Sequence, residues 1–335
     1  METVSVSESE RWPRQRLAFL PTPLHPLPRL AAELGGPELW IKRDDQTGLA
    51  LGGNKTRKLE YLVGAALAGG ADVLVTGGAA QSNHCRQTAA AAAATGLGCE
   101  LVLGGERPAE PRGNLLLDEL LGARLHWAGA RRRGEDIPSV AEALRAKGST
   151  PAVIPYGGSS PTGAVGFVEA TREVGEQMRA LGGRFSHVVF ASSSGGTHAG
   201  LMAGWRYYGQ RARLVGIQIE KPPADEPPYP EVVADLATRT AAALGVPGAF
   251  RAADTDLRTG YLGGGYGVVG DPEREAIRLV ARSEGILLDP VYTGRAMAGL
   301  IDLVRRGELG PADRVLFWHT GGAPALWAHP GELLA

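Results

Sequence analysis

Cysteine is almost missing from this chain of 335 residues: Cys85 and Cys99 are the whole complement. Two cysteines build no disulfide framework, and no Cys-x-x-Cys or His-x-x-x-His spacing offers a zinc site. No metal is expected, and a reducing, cytoplasmic setting fits. An excess of charge of either sign is missing too. Lys and Arg number 35 against 36 Asp and Glu, a net charge of −1, which leaves nothing to neutralise a phosphate backbone or an anionic bilayer. Neither nucleic acid nor a membrane is an expected partner. No apolar run approaches the roughly 18 residues of a membrane span, and the polar stretch from Met1 to Arg16 lacks the apolar core of a signal peptide, so a soluble, unexported protein is expected. Internal repeats and Ser- or Pro-rich linkers are absent as well.

Glycine, by contrast, is abundant. Its 48 residues are roughly twice the average share of about 7%, which fits a chain with many tight turns and places where backbone approaches a ligand. The length predicts two domains or one large one, long enough to bury a core without staples. Short apolar runs at Val73–Thr76, Glu100–Leu103, Ala152–Pro155, His187–Ala191, Leu214–Ile219 and Val315–Trp318 read as strands. Helical patterns separate them at Gln87–Thr95, Asn114–Leu121, Val140–Lys147, Gly166–Leu181, Glu231–Leu244, Pro272–Glu284 and Arg295–Arg306. Strands alternating with helices of this length predict an α/β fold with parallel sheets. The proline-rich stretch Lys221–Pro230 reads as a surface loop, since proline lacks the donor that a central strand requires.

Chemistry concentrates at a few turns. In Gly52-Gly-Asn-Lys-Thr-Arg-Lys58 two glycines and a capping Asn54 open a helix. Its lysines are either solvated or, for Lys55, desolvated enough to form a Schiff base. Thr76-Gly-Gly-Ala-Ala-Gln-Ser-Asn-His-Cys85 follows a strand, where ligands of open α/β sheets bind. There Ser82 and Asn83 either cap a helix or, with His84, form a polar site; Cys85 reads as a small hydrophobe. Ala191-Ser-Ser-Ser-Gly-Gly-Thr-His198 joins a strand to a helix beginning near Thr197, a place where backbone N–H groups and hydroxyls cradle an anion such as phosphate. It has neither the Walker A ending nor Gly-x-Gly-x-x-Gly spacing. The turns Leu288–Arg295 and Phe317–Gly322, and Tyr266 within Gly263-Gly-Gly-Tyr-Gly267, are either structural or face a ligand.

Taken together and in this order, from about Leu20 to Trp327, these segments resemble the fold-type II pyridoxal-phosphate enzymes (tryptophan synthase β-like), in particular the D-cysteine desulfhydrase and 1-aminocyclopropane-1-carboxylate deaminase family. The resemblance implies pyridoxal 5'-phosphate as cofactor, with Lys55 as its Schiff-base lysine and Asn83 beside its phenolic oxygen. Ser193, Ser194, Gly195, Gly196 and Thr197 match the phosphate loop, and Thr320 and Thr293 match positions beside the pyridine ring. Ser82, Asn83, His84, Tyr266, Tyr292 and Thr293 fall where the family faces its amino-acid substrate, with Lys55, Ser82, Tyr266 and Tyr292 as candidate catalytic groups. Lys58 is expected to be a bystander.

The resemblance further implies two α/β domains, a small one at 52–163 inserted in a large one formed by 1–51 and 164–335, and a homodimer. The expected reaction is β-elimination of D-cysteine to pyruvate, ammonia and hydrogen sulfide. Cysteate sulfo-lyases share the same motifs. The aminocyclopropane deaminases carry glutamate and leucine at the positions of Thr293 and Thr320, which predicts poor ring opening by this chain. Two other classes stand against this reading. A nucleotide-dependent dehydrogenase lacks its fingerprint here, and a non-catalytic pyridoxal-phosphate carrier would have lost the substrate-facing groups that this chain retains.

Overall fold

The apolar runs that read as strands all pair in parallel, and they fall into two separate sheets. In the computed structural model, which describes residues 12–222 and 226–334, a six-stranded sheet has the order β1-β2-β10-β7-β8-β9 and a four-stranded sheet the order β5-β4-β3-β6. The strands are β1 (Leu24–Pro26), β2 (Glu38–Arg43), β3 (Val73–Ala79), β4 (Gly98–Gly104), β5 (Arg124–Trp127), β6 (Pro151–Val153), β7 (His187–Ser192), β8 (Arg213–Gln218), β9 (Leu257–Arg258) and β10 (Arg314–His319). Only β1 runs antiparallel to its neighbour, and it carries Pro26 at a sheet edge, where a missing N–H costs nothing. The helices are α1 (Pro28–Leu34), α2 (Lys55–Ala68), α3 (Asn83–Thr95), α4 (Asn114–Leu120), α5 (Ile137–Arg145), α6 (Pro161–Ala180), α7 (Gly196–Tyr207), α8 (Tyr229–Ala243), α9 (Asp271–Glu284), α10 (Thr293–Arg305) and α11 (Pro330–Leu334).

Both faces of the large sheet are buried, which is why β7 and β10 read as unbroken apolar runs. Val189, Val315 and Phe317 pack with Met297 and Leu300 of α10 on one face. Val188, Phe190, Leu316 and Trp318 pack with Phe167 of α6 and Leu201 of α7 on the other. The small sheet is covered the same way: Leu74, Leu101 and Leu103 lie against α2 and α3, and Val75 and Val102 against Ile137 of α5. Four strands escaped the sequence reading. In β2 the fully buried Lys42 interrupts the apolar pattern, its ammonium being paired with the Glu173 carboxylate. The others are short or at a sheet edge. Residues 1–11, most of the expected polar N-terminal stretch, and residues 223–225 of the expected proline-rich loop lie outside the described residues, and α8 already begins at Tyr229.

Helix α2 is fixed at its first turn by a buried ion cluster. Arg57 makes a two-pronged contact to Asp44, Nε to Oδ2 at 2.9 Å and Nη2 to Oδ1 at 2.8 Å, and reaches Glu173 through Nη1 at 3.0 Å and Nη2 at 2.8 Å. Trp318 Nε1 donates to Asp44 Oδ2 at 2.8 Å. The helix also lies tight against α6, where a Cβ on Gly166 would stand 2.3 Å from the Arg57 carbonyl oxygen. Lys55 thus projects from a helix end that cannot shift. Among the described residues, no helix is long and apolar enough to cross a membrane.

Candidate active site

The segments following β3, β6, β7 and β10 come together around one cavity, the place where strand carboxyl ends favour ligands. Its walls include Lys55, Ser82, Asn83, His84, Tyr156, Gly157, Ser193, Ser194, Gly195, Thr197, Tyr292 and Thr320.

Two amines meet there. Lys55 Nζ donates to the Gly157 carbonyl at 3.2 Å, and Lys58 Nζ donates to the same oxygen at 3.1 Å. Burial lowers the Lys55 ammonium to about 8 from its ordinary 10.5, leaving about a tenth of the amine neutral at pH 7. Burial, with Lys55 as a like-charged neighbour, holds Lys58 well below the lysine range. Lys58, expected to be a bystander on the helix, is not a solvated lysine. It is 1% exposed, and a Cβ on Gly196 would lie 2.8 Å from its Nζ. Its amine therefore stands beside the N-terminus of α7, where the glycine backbone N–H groups already favour an anion. Neither amine is paired with a carboxylate among the ion pairs of the described residues, whereas Arg57, between them in sequence, contacts two. Two buried amines and a helix N-terminus, none of them in direct contact with a carboxylate among the described residues, fit a phosphate, and the amine depressed to about 8 fits attachment to an aldehyde.

Asn83 presents its donor side. Its Oδ1 accepts from Asn114 Nδ2 at 2.9 Å and from Arg86 Nη1 at 3.4 Å, so Nδ2 is the atom left facing Gly322, where a Cβ would stand 2.8 Å away. Ser82 caps α3, its Oγ accepting from Cys85 N at 3.2 Å. Asn54 does not cap α2; its Nδ2 donates to Thr197 Oγ1 at 3.0 Å and ties the start of α2 to that of α7. Ser194 Oγ accepts from Ser159 Oγ at 2.9 Å, and Gly196 N donates to Ser159 Oγ at 3.1 Å. Thr76 Oγ1 gives its hydrogen to the Ile154 carbonyl at 2.8 Å, so His84 Nε2, 3.0 Å away, is the donor of that pair. His84 Nδ1 is buried and makes no close hydrogen bond among the described residues. Burial, then Lys55 and Lys58, hold this ring neutral.

Tyr292 and Tyr266 meet hydroxyl to hydroxyl at 2.5 Å. Tyr266 reaches the cavity through Tyr292 rather than lining it. Burial raises both phenols above their ordinary value, so both stay protonated. Thr293 is not brought to the cavity. It is fully buried, its Oγ1 donating to Asp289 Oδ1 at 2.7 Å and accepting from Asp289 N at 2.7 Å, and a glutamate at 293 would face Asp289 across the same contact. The buried Cys85 belongs to the core around α3.

The reading of the sequence missed Lys58, Asn114, Arg86, Tyr156, Gly157 and Ser159. Tyr156-Gly-Gly-Ser159 follows a strand and combines glycine with hydroxyls, the same signal that singled out the other loops. Lys58 and Arg86 carry no local mark, because their burial depends on helices distant in sequence.

The chain resembles known proteins over nearly its whole length. It is 46% identical to a D-cysteine desulfhydrase of Salmonella newport over 329 residues, covering 96% of this chain and 97% of that one. It is 45% identical to a 1-aminocyclopropane-1-carboxylate deaminase of Burkholderia vietnamiensis over 334 residues, with the same two coverages. A crystal structure of an ACC deaminase homologue superimposes with a TM-score of 0.89 at 40% identity, covering 98% of this chain and 97% of that one. The threonine deaminase of Solanum lycopersicum, at 16% identity and a TM-score of 0.66, shares the fold over 94% of this chain and 82% of its own. The family model described as pyridoxal-phosphate dependent enzyme matches residues 16–321, which with these relatives places the chain in that family: it is a fold-type II pyridoxal-phosphate dependent enzyme.

Proposed function

We propose that this enzyme eliminates the β-substituent of D-cysteine, giving pyruvate, ammonia and hydrogen sulfide. The observation that carries the reading is the pair Lys55 and Lys58 on one carbonyl beside the start of α7, in a chain 46% identical to a D-cysteine desulfhydrase. Lys55 would hold the cofactor's aldehyde carbon; Lys58, with the backbone of Gly195, Gly196 and Thr197, its phosphate; Asn83 Nδ2 its phenolic oxygen; and Thr320 would stand beside its ring. The cofactor, when bound, supplies the electron sink that lets an α-proton leave as an acid. Lys55, which burial lowers to about 8, would take up that proton near neutral pH. Tyr292 keeps its hydrogen through burial and can donate a hydrogen bond to the departing sulfur, with Tyr266 fixing its hydroxyl. Ser82 lies on the same wall and receives the substrate carboxylate.

The chain divides into a small domain at 52–163 and a large one at 1–51 and 164–335, with the cofactor between them. It works as a homodimer in the cytoplasm. A second reading, deamination of 1-aminocyclopropane-1-carboxylate, is favoured by the Burkholderia relative. One assay separates the readings: ketoacid release from D-cysteine, L-cysteine, L-cysteate and aminocyclopropane carboxylate. D-cysteine is expected to give the highest kcat/KM and aminocyclopropane carboxylate a poor one. Faster turnover of the cyclopropane overturns the proposal in favour of the deaminase, and faster turnover of cysteate overturns it in favour of a sulfo-lyase.

A further inference from the structure

One buried carboxylate stands beside the cavity. Glu220 lies two residues beyond β8 and is 5% exposed. Its Oε1 accepts from Ser193 Oγ at 2.9 Å and from the Tyr156 hydroxyl at 3.2 Å. Its Oε2 accepts from Arg132 Nη1 at 3.1 Å. The partners come from both sheets. Ser193 follows β7 of the large sheet, Tyr156 follows β6 of the small one, and Arg132 lies between β5 and α5. The Arg132 guanidinium also sits 4.5 Å from the centroid of the Tyr266 ring, beneath the Tyr266–Tyr292 pair.

Hydrogen-bond directions follow from the donor inventory. A carboxylate only accepts, so Ser193 and Tyr156 must each spend their single hydrogen on Glu220. Both residues line the cavity, and the lone pairs of their oxygens are what remains to face it. Burial raises the Tyr156 phenol well above its ordinary value, so that hydrogen stays in place. We propose that Glu220, oriented by Arg132, is a positioning residue that makes Ser193 and Tyr156 a hydrogen-bond-accepting wall, and that this wall receives the ammonium group of the incoming amino acid. An ammonium brings donors alone and suits a surface that offers acceptors alone. The inference rests on the cavity being an amino-acid site.

Glu220→Gln tests it because the amide must choose a direction. Arg132 can only donate, so the amide oxygen turns to Arg132 and the NH2 turns to Ser193 and Tyr156. Both hydroxyls then accept from the amide and release their hydrogens, and the wall becomes a donor. Arg132→Met added to Glu220→Gln frees the amide to turn its oxygen back to the hydroxyls. The readouts are KM and kcat for D-cysteine by pyruvate release, the dissociation constant for D-alanine measured by calorimetry on borohydride-reduced holoenzyme, in which the amine cannot transfer to the cofactor and stays an ammonium, and the thermal midpoint. For Glu220→Gln the expectation is a KM and a D-alanine dissociation constant raised about tenfold, the cost of one charge-assisted hydrogen bond, with a smaller change in kcat. The double variant should return both constants to within about threefold of wild type. A double variant as weak as the single one, or an unchanged D-alanine constant in Glu220→Gln, overturns the proposal. Should Glu220→Gln fail to fold, Ser193→Ala and Tyr156→Phe remove the accepting oxygens one at a time; a raised D-alanine constant in either supports the wall, and unchanged constants in both overturn it. Wild-type protein that binds no amino acid at all would instead refute the underlying reading of the cavity.

Discussion

Arg57 and Lys58 are neighbours in sequence, both basic, both buried, and on the first turn of one helix, yet their surroundings are opposite. Arg57 sits in a cluster whose formal charges balance: Arg57 and Lys42 against Asp44 and Glu173. Hydrogen bonds to Thr22 and Trp318 satisfy its remaining partners. Lys58 has one carbonyl, shared with Lys55, and a helix N-terminus that adds to the positive potential. A buried charge is tolerated when it is paired. The first cluster carries its counter-ions within the fold and holds α2 in place, whereas the second leaves room for an anion from outside. Position on a helix does not separate a structural cation from a ligand-binding one; the presence or absence of an internal carboxylate does.

That contrast can be broken from either side. Arg57→Met should have the largest effect, because it leaves Asp44 and Glu173 buried beside a single remaining cation. A loss of about 3–5 kcal/mol of unfolding free energy is expected, measured by urea denaturation of the apo-protein, with added cofactor recovering only part of it. Lys58→Met should do the reverse. The apo-protein is expected to be no less stable than wild type, since an unpaired buried amine is removed, while affinity for pyridoxal phosphate falls by about 1.5–3 kcal/mol, roughly tenfold to more than a hundredfold. Titration of the apo-protein with cofactor, followed by absorbance, measures that loss.

Gly196→Val sharpens the comparison at the helix end. Its side chain would enter the space within 3 Å of Lys58 Nζ and Ser159 Oγ, and the dissociation constant for cofactor should rise about tenfold or more, with a smaller loss of folding stability. The smallest effect is a pH dependence. Lys55 binds its proton less tightly in the folded apo-protein, at about 8, than its ordinary 10.5. Between those values the unfolded chain holds more protons, so apo-protein stability should rise with pH across this window, with no slope from Lys55 below it, where the cost of its buried ammonium is constant. In Lys55→Met that rise should diminish, as read from thermal midpoints at stepped pH.

Much of this was legible in the sequence, for identifiable reasons. The central strands announced themselves because parallel strands covered on both faces are continuously apolar. β2 hid behind Lys42, whose burial is possible only because Glu173, far along the chain, meets it. The glycine- and hydroxyl-bearing loops were visible because a strand end followed by such residues is a local pattern. Lys58, Arg86, Asn114 and Glu220 were not, since each acquires its place from partners on other elements. Thr293 shows the converse: a polar residue at a promising turn before α10 whose hydroxyl is spent on Asp289, four residues earlier.

The central claim is that the unbalanced pair, and Lys55 within it, is where pyridoxal phosphate is held. Borohydride reduction of the holoenzyme followed by peptide mapping tests it most directly, because reduction fixes the cofactor to whichever amine carries it. The expected result is one pyridoxyl group per chain, on Lys55, and none in the Lys55→Ala protein, which should remain folded. A pyridoxyl group on Lys58, or on any lysine away from this cavity, would contradict the account.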